Sequence, residues 1–104
     1  MEKIEYIRSQ LSNPELLAGL AEEATELAHA ALKLRRVLDG TNHTPVIYDV
    51  AYANLKEEIG DVLLCLEVLG ITTDPKAYRK DMDAKLDRWV NRLKNRIAEA
   101  TAAP

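Results

Sequence analysis

Apolar side chains recur every three or four residues in four separate stretches of the chain, which is the spacing of one face of an α-helix. In the first stretch, Ile4, Ile7 and Leu11 fall at i, i+3 and i+7, and they predict a short amphipathic helix over residues 2–12. No stretch shows the alternation of apolar and polar residues that is typical of a half-buried strand. The pattern therefore predicts an all-α protein.

Proline and glycine mark where the three longer helices begin and end. Each is expected to begin with a polar N-cap followed by a proline in the first helical position, at Asn13-Pro14, Thr44-Pro45 and Asp74-Pro75. Gly40 and Gly70 follow the second and third helices, and glycine favours the left-handed backbone conformation that ends a helix. Four helices joined by short loops follow from these signals.

The longer helices carry the apolar stripes expected of a helical bundle. On the second helix, expected over residues 14–39, the stripe consists of Leu17, Leu20, Ala24, Leu27, Ala28, Ala31, Leu34 and Leu38. On the fourth helix it consists of Tyr78, Met82, Leu86, Trp89, Leu93 and Ile97. The tail, about residues 99–104, is expected to fray. We therefore predict a single domain over residues 1–104, built from three long helices and one short N-terminal helix.

Composition narrows the class of protein. Of the 104 residues, 47% are apolar and 30% are charged, which is typical of chains that fold. A chain of this length buries only a modest hydrophobic core, and we expect oligomerisation to complete that core. The formal charge of −3 favours neither nucleic acid nor an anionic membrane. One cysteine cannot form an internal disulfide, and no apolar run suits a signal peptide or a membrane span. A cytoplasmic protein is the default expectation.

Acidic residues form a second pattern on the second helix. Glu23 and Glu26 share a stripe with Gly19 and Ala30, and Glu22 borders the same arc. The small residues at the two ends of this stripe would let another helix approach closely. Glutamates at this spacing are also common on solvated helix faces, so the segment is weak evidence by itself.

The third helix carries a corresponding stripe of Asn54, Glu58, Asp61 and Cys65. Asp61 stands inside a run that is otherwise apolar, and an isolated buried carboxylate is costly. Short loops make neighbouring helices antiparallel, so the acids of the two helices can face each other. Mg²⁺ and Mn²⁺ prefer oxygen ligands and would neutralise such a group. The pattern thus predicts a metal site with four carboxylate ligands, Glu23, Glu26, Glu58 and Asp61.

The alternative for Asp61 is a salt bridge within the core, to Lys56 or to an arginine of the fourth helix. The metal site is the favoured interpretation because acidic pairs occur on two adjacent helices. Glu57 points away from the stripe of Glu58 and is expected to be solvated.

The two acidic segments together resemble a known family. "EEATE" at residues 22–26 followed by "EIGD" at residues 58–61 is similar to the EExxE…ExxD motif of the MazG-like, all-α nucleoside triphosphate pyrophosphohydrolases, and the resemblance covers roughly residues 14–95. It implies hydrolysis of a nucleoside or deoxynucleoside triphosphate between its α and β phosphates. The products would be the monophosphate and pyrophosphate, in nucleotide-pool control or housecleaning.

The resemblance also implies a cofactor, an assembly and a catalytic group. The cofactor would be Mg²⁺, with Mn²⁺ able to substitute, held by the four carboxylates named above. The assembly would be a homodimer or homotetramer whose sites are built partly from a second subunit. The first glutamate of the family motif matches Glu22, which would make a further metal contact or orient the attacking water.

Candidate substrate contacts lie on the fourth helix. Lys85, Arg88 and Arg92 fall at i, i+3 and i+7, and "KLDRWVNRL" resembles the family segment in which a lysine and nearby polar or basic residues meet phosphates. Family members often carry an asparagine one turn after the lysine, where this chain has Trp89, so the individual contacts stay open. A solvated helix face, with an Asp81–Lys85 ion pair, is the alternative.

Further candidates would contact the nucleoside. Trp89, Tyr48 or Tyr52 would stack on a base, and packing in the core or between subunits is the alternative for each. Asn54 precedes Glu58 by one helical turn and would bind sugar or base, or orient Glu58. A side chain facing water is its alternative.

Two other functions remain open at this stage. Glu26 and His29 match half of a carboxylate-bridged di-iron or di-manganese site, although Leu64 occupies the place of the second histidine. A helical module that dimerises and lacks catalysis is the non-enzyme alternative. Cys65 is most simply a small buried residue.

Overall fold

The computed structural model describes residues 2–41 and 46–102 and confirms the predicted all-α architecture. The helices are α1 (Glu2–Gln10), α2 (Asn13–Asp39), α3 (Tyr48–Leu69) and α4 (Arg79–Ala102), with a 3-10 helix at Pro75–Tyr78, and the described residues contain no strand. The chain divides into two compact units, Met1–Thr73 with α1 to α3 and Asp74–Pro104 with α4. A single domain over residues 1–104 stays a prediction.

The N-cap of α2 is Ser12, and the prediction of Asn13 is wrong by one residue. Ser12 Oγ accepts a hydrogen bond from the backbone N–H of Glu15 at 3.3 Å, and its hydroxyl donates to Glu15 Oε1 at 3.0 Å. Residues 12–15 thus have the S-x-x-E spacing of a capping box, with Pro14 in the first turn. The serine prevails because its short hydroxyl satisfies a backbone donor that the first turn leaves unpaired.

The beginning of α3 also differs from the prediction. The expected cap at Thr44-Pro45 lies outside the described residues, and α3 begins at Tyr48, preceded by Ile47. Ile47 has no side-chain oxygen to offer, and only its backbone carbonyl takes part, accepting the N–H of Ala51 at 3.1 Å. The periodic apolar pattern therefore predicted the helix but not its first turn.

Glycine ends α2 and α3 as predicted. Gly40 and Gly70 adopt left-handed backbone conformations with φ of 66° and 75°, and the Gly40 N–H bonds to the carbonyl of Arg36 at 3.0 Å. After α3, the N–H of Ile71 bonds to the carbonyl of Leu66 at 2.9 Å, which satisfies a carbonyl of the last turn.

The second unit begins at its predicted cap. Asp74 Oδ1 accepts the backbone N–H of Lys76 at 3.0 Å and starts the 3-10 helix that leads into α4. Residues 99–102, which were expected to fray, are helical. Among the described residues of α4 the ion pair is Arg79–Asp83 at 3.9 Å, in place of the one expected at Asp81–Lys85.

α2 and α3 lie side by side and run in opposite directions. Glu26 lies close to Glu58, whereas Lys33, two turns later on α2, lines a cavity with Asn54 and Val50, which come earlier on α3. This antiparallel arrangement is what the short connection predicted, and it brings the two acidic segments together.

α1 is joined to the last turn of α3 by one arginine. Arg8 Nε donates to the carbonyl of Val68 at 2.7 Å, and Arg8 Nη2 donates to the carbonyl of Glu67 at 2.8 Å. The last carbonyls of a helix lack partners within the helix and form the negative end of its dipole. The Arg8 guanidinium therefore donates hydrogen bonds to two carbonyls of the last turn, and its positive charge offsets the negative end of the α3 dipole.

The face that α2 presents to α3 differs from the predicted apolar stripe. Leu20 and Leu27 are half-buried, but Leu17 is 51% exposed and Leu38 is 68% exposed. Glu23 of the acidic stripe is itself half-buried, and Ala30 at the end of that stripe is buried. The acidic stripe therefore lies partly in the contact between the helices, with Glu26 exposed at its edge, and five of the eight residues of the apolar stripe are exposed.

α3 shows a similar arrangement of exposed leucines and half-buried acids. Leu63 and Leu64 are exposed, whereas Glu58 and Asp61 are half-buried. Within the described residues, the fully buried apolar side chains are small or branched ones, namely Ala30, Ala51 and Val68. Leu63 and Leu64 thus remain outside the contact between α2 and α3.

Candidate metal centre

Three carboxylates converge between α2 and α3. Glu23, Glu26 and Glu58 each place one carboxylate oxygen so that the three oxygens lie within 4.8 Å of one another. The three-residue spacing puts Glu23 and Glu26 on one side of α2, and the antiparallel packing places Glu58 opposite them. The predicted convergence of acids from the two helices is therefore present for these three residues.

Asp61 belongs to the same cluster through its charge. It is half-buried one turn after Glu58, but it lies outside the group of three oxygens. Burial away from water raises the pKa of Glu23 and of Glu58 above the ordinary value of 4.5, and the charges of Glu26 and Asp61 raise both pKa values further. Direct ligation of a metal by Asp61 stays a prediction.

The cluster holds oxygens that have no hydrogen-bond partner. Glu23 Oε2 and Glu58 Oε2 are shielded from solvent, and within the described part of the chain neither accepts a hydrogen bond. Shielded carboxylate oxygens without partners are costly, and repulsion between like charges adds to that cost. A divalent cation would remove both costs, and an all-oxygen donor set suits Mg²⁺ or Mn²⁺.

The neighbours of the cluster have different exposures. Glu22 is exposed and lies outside the group of three, and Glu57 is exposed as predicted. Cys65 is half-buried, and its burial raises the pKa of the thiol above 9.0, with smaller contributions from the nearby charges of Glu23 and Asp61. The thiol is therefore protonated at neutral pH and is a poor nucleophile.

The candidate nucleoside contacts lie in two environments. Asn54 is half-buried and lines two adjacent cavities between α2 and α3. Tyr48 and Tyr52 stack on each other, with ring centroids 5.8 Å apart and an interplanar angle of 12°, and both are exposed. Each tyrosine therefore presents its other face to the surroundings.

The candidate contacts of the fourth helix all lie on α4, within the second unit. Lys85, Arg88 and Arg92 are exposed, and Trp89 is 54% exposed, so the tryptophan is not buried by the described residues of its own unit. Their role toward a substrate stays a prediction.

A cavity of about 330 Å³ adjoins the acidic cluster and contains two cations that the sequence-based prediction did not include. Glu26 and Glu58 line it together with Lys33 and Arg36 of α2. The signal was present in the sequence, since Lys33 follows Glu26 by seven residues, close to two whole helical turns, and Arg36 follows Lys33 by three. The resemblance to the family's basic segment pointed to the fourth helix for phosphate contacts and gave no role to these two residues. His29, the half-match to a di-iron site, is exposed and lines the same cavity.

Most of the chain matches one known protein family. A family model described as the MazG nucleotide pyrophosphohydrolase domain matches residues 11–99. No curated protein and no solved structure matches the chain. None of the helices in the described ranges is long and apolar enough to cross a membrane.

Proposed function

The chain belongs to the MazG nucleotide pyrophosphohydrolase family, and from this membership we propose that it hydrolyses a nucleoside or deoxynucleoside triphosphate to the monophosphate and pyrophosphate. Mg²⁺ is the proposed cofactor. The observation that carries the proposal is the group of three carboxylate oxygens within 4.8 Å, contributed by Glu23, Glu26 and Glu58. Two of these glutamates also hold a shielded oxygen without a hydrogen-bond partner, which supports a cation site over a solvated acidic surface.

In this proposal Glu23, Glu26, Glu58 and Asp61 hold the ion, which when bound neutralises phosphate charge and lowers the pKa of a bound water. The acids by themselves would repel a triphosphate, so their role toward the substrate depends on that charge. Glu22, exposed beside the cluster, is proposed to orient the attacking water or accept its proton.

Substrate contacts are proposed at both units of the chain. Asn54 lines cavities next to Glu58, and its amide suits a sugar hydroxyl or a base edge. On α4, the exposed cations Lys85, Arg88 and Arg92 are proposed to meet phosphates, and Trp89 to contact the nucleotide. The alternative for these α4 residues is packing against another subunit.

A homodimer or homotetramer in the cytoplasm is part of the proposal. Long apolar side chains such as Leu38, Leu63 and Leu64 are exposed, which supports burial against a second copy. Light scattering at several protein concentrations tests the assembly, and a monomer at all of them would contradict it.

The activity is tested by measuring pyrophosphate release from a panel of canonical and damaged nucleoside and deoxynucleoside triphosphates, with Mg²⁺ and with EDTA. We expect Mg²⁺-dependent release from at least one nucleotide, and loss of that release in Glu58→Gln and in Asp61→Asn. The matched control is Glu57→Gln, which removes one charge from the exposed neighbour and should retain activity.

Three outcomes would overturn the proposal. Release that neither Glu58→Gln nor Asp61→Asn affects would separate the activity from the acidic cluster. No turnover of any nucleotide, even with Mn²⁺, would favour an inactive helical module. An iron-dependent near-UV absorption that Mg²⁺ does not reproduce would favour a redox metal protein.

A further inference from the structure

The cavity beside the acidic cluster has negative charge at one end and positive charge at the other. Glu26 and Glu58 line it where α2 and α3 bring the acids together. Lys33 and Arg36 line it further along α2, at axial distances of roughly 10 Å and 15 Å from Glu26 for an ideal helix. Asn54 of α3 also lines the cavity and supplies a neutral donor.

These opposite charges do not pair with one another. Arg36 Nε is shielded from solvent without a hydrogen-bond partner, and neither the Arg36 nor the Lys33 side chain forms an ion pair or hydrogen bond with any described residue. The adjacent Arg35, by contrast, pairs with Asp39 at 3.4 Å on the surface. A shielded guanidinium nitrogen without a partner is costly, and folding alone gives no reason to keep it.

Both ends of the cavity therefore lack a partner, and the missing partners are complementary. The acids lack a cation, and Arg36 and Lys33 lack an anion. A metal-bound polyphosphate supplies both, since its cation meets carboxylates while its outer oxygens remain negatively charged. The planar guanidinium of arginine suits two phosphate oxygens at once, and the flexible lysine adds a mobile positive charge.

We propose that Lys33 and Arg36 of α2 bind the phosphate groups that extend from the metal along the cavity between α2 and α3. This proposal rests on the proposed function and assigns phosphate binding to the same helix that carries two of the acids. It does not require the cations of α4. One consequence is that inorganic pyrophosphate, without any nucleoside, binds the metal-loaded protein.

The test is calorimetric titration of inorganic pyrophosphate into the full chain with saturating Mn²⁺. We expect Lys33→Met and Arg36→Met each to weaken pyrophosphate binding by about 10-fold or more, because each removes a charge-assisted contact. Titration of Mn²⁺ alone should give the same affinity in these variants as in the unmodified chain. The matched controls are Arg35→Met on α2 and Lys56→Met on α3, which remove exposed charges and should bind pyrophosphate normally.

Several outcomes would overturn the proposal. A lack of pyrophosphate binding to the unmodified chain refutes the site, and so does binding by both methionine variants that is as tight as that of the unmodified chain. Equal weakening in the two controls would also refute it, because it would show that binding depends only on the net charge of the protein. Where a methionine variant fails to fold by circular dichroism, Arg36→Lys and Lys33→Arg take its place. Arg36→Lys keeps the charge but loses the two-pronged geometry and should weaken binding partly, whereas Lys33→Arg should retain it.

The two proposals fail in different ways. Loss of pyrophosphate affinity in Lys33→Met and Arg36→Met, in a protein that turns over no nucleotide, would support this site and refute the enzyme. Nucleotide hydrolysis whose KM and pyrophosphate affinity are unaffected by both changes would refute this site and leave the enzyme intact.

Discussion

Replacing Arg8 by methionine should destabilise the protein without weakening metal binding at the proposed site. Arg8 joins α1 to α3 through hydrogen bonds of 2.7 and 2.8 Å to the carbonyls of Val68 and Glu67. Methionine keeps much of the apolar stem and loses both bonds and the charge. Val68 lies ten residues after Glu58, roughly 15 Å along the helix axis, so the acidic cluster should not respond.

The magnitude follows from the exposure of the two bonds. The bond to Val68 is partly buried, and a charge-assisted bond of this kind contributes about 1.5 kcal/mol. The bond to Glu67 is exposed, where water competes and the contribution falls to about 0.5 kcal/mol. A loss of about 2 kcal/mol lowers the melting temperature of a chain of this size by roughly 8–16 °C.

Thermal unfolding followed by circular dichroism measures this loss, at one fixed protein concentration because an oligomer's melting temperature depends on it. Lys3→Met removes an exposed charge from the same helix and is the control. A melting temperature for Arg8→Met equal to that of the control would refute the role of Arg8 in holding α1 to α3. A fall in Mn²⁺ affinity would refute the independence of the site.

Three further predictions concern acidity, the thiol and a helix end. The folded-state pKa values of Glu23 and Glu58 lie above 4.5, so the native state retains protons that the unfolded chain releases. In EDTA, the free energy of unfolding should therefore fall as the pH rises from about 4.5. Urea titrations should show this slope and its removal by excess Mg²⁺; an increase with pH in EDTA would contradict it. Cys65 should react with iodoacetamide more slowly in the folded than in the denatured chain, because its raised pKa leaves less thiolate. Asp61→Asn should accelerate the reaction of the folded chain, and an unchanged rate in this variant would contradict the effect of the Asp61 charge on the thiol. Gly70→Ala should cost about 1 kcal/mol because φ is 75°, and a melting temperature equal to that of the unmodified chain would count against this strain.

Helix ends were predictable where a single residue decides them. Gly40 and Gly70 end their helices because glycine accepts a positive φ at little cost, which is a property of one residue. The cap at Ser12 was predictable too, since Ser12 and Glu15 have the S-x-x-E spacing of a capping box. Asn13 was predicted instead because it directly precedes Pro14. The first turn of α3, where Ile47 makes no side-chain cap, carried no such signal.

The acids were predictable for a related reason. A spacing of three residues on one helix depends only on helical geometry, so Glu23 and Glu26, and likewise Glu58 and Asp61, were expected on shared faces before any packing was known. The short connection between α2 and α3 then made an antiparallel pair the natural arrangement. That one carboxylate oxygen of Glu58 lies within 4.8 Å of those of both α2 glutamates required, in addition, that the acidic faces be the ones that meet.

The choice of which faces meet was made only by the packing of α2 against α3. Apolar periodicity shows which residues avoid water, but it does not say whether they are buried within the chain or against another molecule. Here the contact uses the acidic stripe with Ala30, while Leu63 and Leu64 remain exposed. That contact shields one oxygen each of Glu23 and Glu58, and it places Lys33 and Arg36 beside the acids. The spacing along one helix could not decide this, because the free energy of packing is summed over the whole surfaces of both helices.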